Sequence, residues 1–143
     1  MKLSAHYSHL RFALLAAFLL TLFSCSRKIA FQTSSTVPAA RGFVKVKKDN
    51  NSNYVIQLQL SNLAEVERLQ PSRKAYVIWM ETSEEQVKNI GQVKSSPGML
   101  LSKLNATFQT VSVLKPTRIF ITAEDEVGIQ SPVNPELLTT RNF

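Results

Sequence analysis

Apolar and polar residues alternate over much of the chain, and this pattern limits the fold more than any other feature. In residues 43–48, Val44 and Val46 alternate with lysines, and in residues 54–60, Ile56 and Leu58 alternate with glutamines. A period of two places every second side chain on the buried face of a β-strand. The intervening sequence 49–53 consists of Asp, Asn and Ser, which favour turns. The two segments therefore predict an antiparallel hairpin.

An unbroken apolar run in residues 75–80 predicts a central strand that is covered on both faces. Trp79 lies inside this run, so we expect it to be a buried core residue. The best candidate for a helix, residues 63–70, is short and ends at Pro71. Further short strands are predicted at 87–93, 104–108, 118–123 and 136–140. About seven strands without a long amphipathic helix predict an all-β fold, an antiparallel β-sandwich of immunoglobulin-like architecture, over residues 41–143.

The N-terminal sequence is typical of a secretory signal peptide. Lys2 and Arg11 are followed by an apolar run in residues 12–23. As a helix this run covers about 18 Å, which is too short for a hydrocarbon core of about 30 Å. The run ends in Leu22-Phe23-Ser24-Cys25, which resembles the lipobox of bacterial lipoproteins. An ordinary secretory signal with an incidental cysteine and an uncleaved anchor are the alternatives.

The lipobox resemblance implies cleavage between Ser24 and Cys25 and a diacylglycerol thioether on Cys25. We therefore expect residues 1–24 to be a lipoprotein signal peptide and the membrane to be a partner through the lipid. The protein would then lie in the bacterial cell envelope, lipid-anchored and extracytoplasmic. Residues 25–40 are rich in Ser, Thr, Gln and Ala, and this composition predicts an exposed lipidated tether.

The positions of His and Cys exclude several classes of function. His6, His9 and Cys25 all precede the predicted domain, which contains neither residue type. Histidine-based catalysis, thiol nucleophiles, disulfides and zinc sites are thereby excluded from the domain. We predict a protein that is not an enzyme and has no catalytic residues, no metal and no cofactor. The excess of 17 Lys and Arg over 10 Asp and Glu is modest, and together with the extracytoplasmic address it predicts no binding of nucleic acid.

Four short segments of the predicted domain resemble the extracytoplasmic C-terminal domain of anti-sigma-K factors. They are Tyr-Val-Ile-Trp at 76–79, Asn-Ile-Gly-Gln-Val at 89–93, Ile-Phe-Ile-Thr-Ala-Glu at 119–124, and residues 132–138. The resemblance implies a module that accompanies envelope signalling. Members of that family begin with a cytoplasmic sigma-binding domain, whereas here only residues 1–11 precede the apolar run. We therefore do not expect this chain to bind a sigma factor directly.

The dense acidic cluster Glu124, Asp125 and Glu126 is the candidate interaction loop, because loops at the end of a rigid β-scaffold commonly carry recognition. The cluster lacks the alternating acids and the glycine of a calcium-binding loop. We expect the loop to contact a protein partner in the envelope. The alternative is a binding protein for a small molecule or an envelope glycan, with Trp79, Tyr76 or Tyr54 lining the site.

A group of lysines on one predicted strand has two interpretations. Lys45, Lys47 and Lys48 could contact a polyanionic envelope polymer, or they could protect a sheet edge against aggregation.

Overall fold

The computed structural model describes residues 27–93 and 104–143, which form a sandwich of two four-stranded antiparallel sheets. The first sheet has the order β1-β2-β3-β6 and the second has the order β5-β4-β7-β8. The all-β sandwich predicted from the sequence is confirmed. The strands are β1 (Lys28–Ala30), β2 (Arg41–Lys48), β3 (Tyr54–Leu63), β4 (Ala75–Thr82), β5 (Val87–Val93), β6 (Leu104–Ser112), β7 (Pro116–Glu124) and β8 (Glu136–Thr139).

The predicted hairpin is formed by β2 and β3, with Val46 opposite Ile56 and Lys48 opposite Tyr54. Its turn is closed by Asp49, whose Oδ1 accepts hydrogen bonds from the backbone N–H groups of Asn51 at 2.8 Å and Asn53 at 2.9 Å. Such side-chain bonds stabilise turns that begin with aspartate. The alternate residues of the hairpin that face the second sheet are buried: Val44, Ile56, Leu58 and Leu60.

Strand β4 is buried on both of its faces, as its apolar run predicts. Tyr76, Ile78 and Met80 belong to the main core between the sheets. Val77 and Trp79 point the other way and form a second, smaller cluster with Phe120 on the outer face of the second sheet. Trp79 is therefore buried as expected, with no exposed surface, but it lies outside the main core.

The segment predicted to be a short helix is mostly extended. Strand β3 continues to Leu63, and only Val66–Arg68 forms a single 3-10 turn. Leu63 and Val66 are both buried in the core. These two apolar residues, three apart in the sequence, hold this segment against the sandwich without a longer helix. Within residues 27–93 and 104–143, no helix is long and apolar enough to cross a membrane.

The prediction of an exposed tether is wrong for residues 28–40. Strand β1 pairs with β2, and the chain then crosses to the second sheet, where the N–H of Gln32 donates to the carbonyl of Thr139 at 2.8 Å. Val37 and Ala40 are 4% and 2% exposed. The polar composition did not predict this ordered segment. Strand β1 is held by backbone pairing with the edge of β2, and the Ser and Thr residues that follow are compatible with short turns. The predicted signal peptide (residues 1–24) and Cys25 lie outside the described residues.

Candidate functional site

A long connection between β7 and β8, residues 125–135, lies across the outer face of the second sheet; we call it the strap loop. Its Ile129 packs against the small cluster of Val77, Trp79 and Phe120. The Trp79 and Phe120 rings are stacked, with centroids 6.3 Å apart and planes at 17°. The side-chain amide of Asn89 on β5 donates to the carbonyls of Val127 and Ile129 in the strap loop, at 2.8 and 2.9 Å. The strap loop is therefore held to both the centre and the edge of the sheet.

The carboxylate of Glu124 holds the C-terminal end of the strap loop, at Val133 and Asn134. Glu124 is the last residue of β7 and is only 1% exposed. Its Oε1 accepts hydrogen bonds from the Thr122 hydroxyl at 2.7 Å and from the backbone N–H groups of Val133 and Asn134, both at 3.2 Å. Its Oε2 accepts from the side-chain amide of Asn134. One buried carboxylate thus satisfies four donors, and buried polar groups must find such partners.

The same network reaches the aromatic cluster. The indole N–H of Trp79 donates to the Thr122 hydroxyl oxygen at 2.8 Å, and that hydroxyl in turn donates to Glu124. Bonds in such a chain polarise and strengthen one another in a low-dielectric environment. The network joins β4, β7 and the end of the strap loop by hydrogen bonds.

The electrostatics of Glu124 favour its charged form. Burial alone would raise the pKa of Glu124, but hydrogen bonds from Thr122, Asn134 and Val133 outweigh it and hold the pKa below the ordinary value of 4.5. The carboxylate is therefore ionised at neutral pH. A general acid needs a pKa near the working pH, so this glutamate suits structural anchoring rather than proton transfer.

The three acids of the predicted interaction loop do not form one surface, and the placement of Glu124 in a solvated loop is wrong. Asp125 is exposed and its Oδ2 lies 3.1 Å from the Arg73 guanidinium, which also donates to Asn134 Oδ1 at 2.8 Å. Glu126 is exposed. The strand period of two continues one step beyond the predicted end at residue 123, so it places Glu124 on the same face as Thr122. Extending that alternation along the sequence would have separated Glu124 from its neighbours.

A second charged cluster on the outer face of this sheet was not predicted. The Arg118 guanidinium lies 2.7 Å from Glu81 and 2.8 Å from Glu136, and 4.7 Å above the Phe120 ring. Glu81 and Arg118 are register partners on neighbouring strands, so correct pairing of the two predicted strands would have brought them together. Both carboxylates are paired to one cation. In the part of the chain that the structure describes, no three acidic, His or Cys side chains are grouped so as to hold a metal ion.

The aromatic residues proposed for a ligand site lie mostly inside the protein. Trp79 and Tyr76 are buried, and the Tyr76 hydroxyl donates to the Ala64 carbonyl at 3.0 Å. Burial raises the pKa of Tyr76 to about 12. Tyr54 is half-buried, with the Lys48 ammonium 5.3 Å from the centre of its ring. Stacking on a glycan requires exposed rings, which Trp79 and Tyr76 do not offer.

Comparison of the chain with protein-family models, with curated proteins and with solved structures gave no match. The resemblance to the anti-sigma-K extracytoplasmic domain therefore stays a prediction that depends on its four short segments.

Proposed function

We propose that this protein is a non-enzymatic lipoprotein of the bacterial cell envelope, anchored by lipid on Cys25, that contacts an envelope protein through the strap loop. The lipobox sequence Leu22 to Cys25 supports the anchor. The anti-sigma-like segments suggest that the module serves envelope signalling as an accessory. In the sequence, only Ser26 and Arg27 lie between Cys25 and the start of β1 at Lys28.

The observation that carries the interaction role is the way the strap loop is held and presented. Glu124 and Asn89 fix its backbone at several points, while Glu126 and Val127 lie on its exposed side and Val133 is 78% exposed. A loop whose backbone is already held by hydrogen bonds loses less conformational entropy when a partner binds. Exposed valines and exposed acidic side chains on the same loop offer both apolar area and charge for recognition.

The absence of His and Cys after Cys25 in the sequence supports a non-enzymatic role. The carboxylates closest to the strap loop already have partners, since Glu124 anchors the loop and Asp125 pairs with Arg73. The alternative of a glycan-binding protein is disfavoured by the burial of Trp79 and Tyr76.

Site-specific photo-crosslinking in cells tests the interaction. A photoreactive residue replaces Val133 in the strap loop or, as a control, Val113, which is 79% exposed at the opposite end of the sandwich. We expect a discrete protein adduct from position 133 and none of the same mass from position 113. The double change Asp125→Asn and Glu126→Gln should reduce that adduct while leaving Glu124 and the fold intact. Equal adducts from both positions, or no effect of the double change, would contradict the proposal.

A further inference from the structure

The two ends of the sandwich differ in charge, and the difference follows the chain topology. One end of the sandwich holds the last residue of β2 and the first residue of β7, and we call this end the anchor pole. Lys28 is the register partner of Lys45, the fifth of the eight residues of β2, and Ala30 is the partner of Phe43. Strand β1 therefore runs away from this end, and the chain enters β1 from the side of the anchor pole. The C-terminal residues reach the same end, where the N–H of Phe143 donates to the carbonyl of Thr117 at 2.9 Å. The opposite end, which holds residues 64–74 and the start of the strap loop, is the far pole.

Among the described residues, exposed basic side chains outnumber acidic ones at the anchor pole. Acidic residues there are fewer: Asp49, Glu84 and Glu85. At the far pole, the described basic residues Arg41, Arg68, Arg73 and Lys74 are matched in number by Glu65, Glu67, Asp125 and Glu126. Lys94 and Lys103, between β5 and β6 in the sequence, lie outside the described residues. The described, exposed basic residues at or near the anchor pole are Arg27, Lys47, Lys48, Lys88, Lys115 and Arg141.

The position of the lipid attachment makes this asymmetry consequential. Only Ser26 separates Cys25 from Arg27, the first described residue. The three residues from Cys25 to Lys28 span at most about 10 Å, which is close to the Debye length of about 8 Å at physiological salt. The eight residues of β2 span about 26 Å. If the anchor pole faces the membrane, charges at the far pole lie several Debye lengths further away. In that orientation, only the anchor pole is within electrostatic reach of the headgroups.

We propose that the anchor pole rests on the anionic headgroups of the membrane that holds the Cys25 lipid, and that this contact orients the sandwich with the start of the strap loop facing away from the bilayer. The proposal rests on the lipid anchor of the proposed function. It gives Lys47 and Lys48, at the end of β2, a role as a membrane contact. It also explains how a domain on so short a connection would keep its interaction loop accessible.

Energy transfer on vesicles tests this orientation. Acylation blocks Cys25, the only cysteine in the sequence, so a new cysteine can be labelled selectively with a donor dye. Asn50→Cys places the dye at the anchor pole and Ser72→Cys places it at the far pole, and both residues are exposed. The acceptor is a headgroup-labelled lipid in vesicles of phosphatidylglycerol and phosphatidylcholine, or of phosphatidylcholine alone. We expect stronger transfer from Asn50→Cys than from Ser72→Cys on the anionic vesicles, and loss of that difference on neutral vesicles or at high salt.

Two charge-reversal variants of equal net charge complete the test. Lys47→Glu with Lys115→Glu changes the anchor pole, and Arg68→Glu with Lys74→Glu changes the far pole. Each basic residue near an anionic surface changes the contact equilibrium about five-fold. The anchor-pole variant should therefore lower the ratio of seated to detached domains by at least about 25-fold, and the far-pole variant should leave it unchanged.

The outcomes separate this proposal from the anchor itself. The mass of the purified protein first establishes whether Cys25 is acylated, and an unacylated protein would refute the proposed function. An acylated protein whose transfer is independent of lipid charge, or equally sensitive to both variants, would refute the membrane contact alone. Binding of soluble polyphosphate that depends on Lys47 and Lys115, without any effect of lipid charge, would overturn the proposal in favour of an envelope polyanion.

Discussion

Removal of the Glu124 carboxylate should destabilise the protein more than any change at its acidic neighbours. Glu124→Ala leaves four donors without their acceptor: the Thr122 hydroxyl, the backbone N–H groups of Val133 and Asn134, and the Asn134 side-chain amide. A buried unsatisfied donor costs about 1–3 kcal/mol. The Thr122 hydroxyl is fully buried, whereas the other three are partly buried and can recover water, so we expect a total loss of about 3–5 kcal/mol.

Glu124→Gln is the matched control for this prediction. Its amide oxygen can still accept from Thr122 and the two backbone N–H groups, but its NH₂ group faces the NH₂ group of Asn134. Asn134 cannot simply rotate, since its Oδ1 accepts from Arg73 at 2.8 Å. We expect a loss of about 1–2 kcal/mol for this single mismatched contact.

Thermal unfolding of the purified protein, followed by circular dichroism, measures both variants. At about 4 °C per kcal/mol for a domain of this size, Glu124→Ala should lower Tm by about 12–20 °C and Glu124→Gln by about 4–8 °C. The fluorescence of Trp79 should shift to the red as the strap loop loosens. A Tm for Glu124→Ala within about 2 °C of wild type would refute the account of this network.

Three further predictions concern Trp79, the charge of Glu124 and Gly91. Trp79→Ala should lower the free energy of unfolding by about 3–5 kcal/mol because it empties the cluster beneath Ile129, and Trp79→Phe should lower it less. Urea unfolding measures both variants. An unchanged midpoint for the alanine variant would contradict the burial of the indole. Because the pKa of Glu124 is lowered from 4.5, its charge stabilises the fold at neutral pH, and this stabilisation is lost as the pH falls through the lowered value. The difference in unfolding free energy between wild type and Glu124→Gln should therefore shrink below about pH 4.5. A constant difference down to pH 2 would argue against an ionised Glu124. Gly91 has a φ of 142°, and an added Cβ would lie 2.6 Å from the Phe108 ring. Gly91→Ala should therefore lower Tm by several degrees. An unchanged Tm would show that the contact between β5 and β6 is loose.

The sequence was sufficient to predict those strands whose side-chain pattern is set by burial. The alternation in β2 and β3 and the continuous apolar run of β4 each reflect how many faces of the strand are covered. Strand β1 could not be predicted in this way, since Lys28 and Ala30 are exposed and the strand is held by backbone pairing with β2. Backbone pairing leaves little signature in the side chains.

The candidate site was predicted only in part, because an acidic run along the sequence does not show where each carboxylate points. Asp125 and Glu126 lie on the surface as expected, but Glu124 belongs to the strand and turns inward. The donors that make this burial favourable come from Asn134 and Val133, about ten residues further along the chain. Only the tertiary fold brings them to the carboxylate. The covering of Trp79 by the strap loop depends on the same long-range contacts.

The lipid on Cys25 is the central claim, since the envelope location, the interaction role of the strap loop and the membrane contact of the anchor pole all depend on it. Intact-mass analysis of the protein purified from bacterial membranes, with metabolic labelling by a fatty-acid analogue, tests it directly. We expect a mature chain that begins at Cys25, carries a diacylglycerol on that residue and incorporates the label, while Cys25→Ala remains uncleaved and unlabelled. A wild-type chain with a free Cys25 thiol, or equal labelling of wild type and Cys25→Ala, would contradict the account.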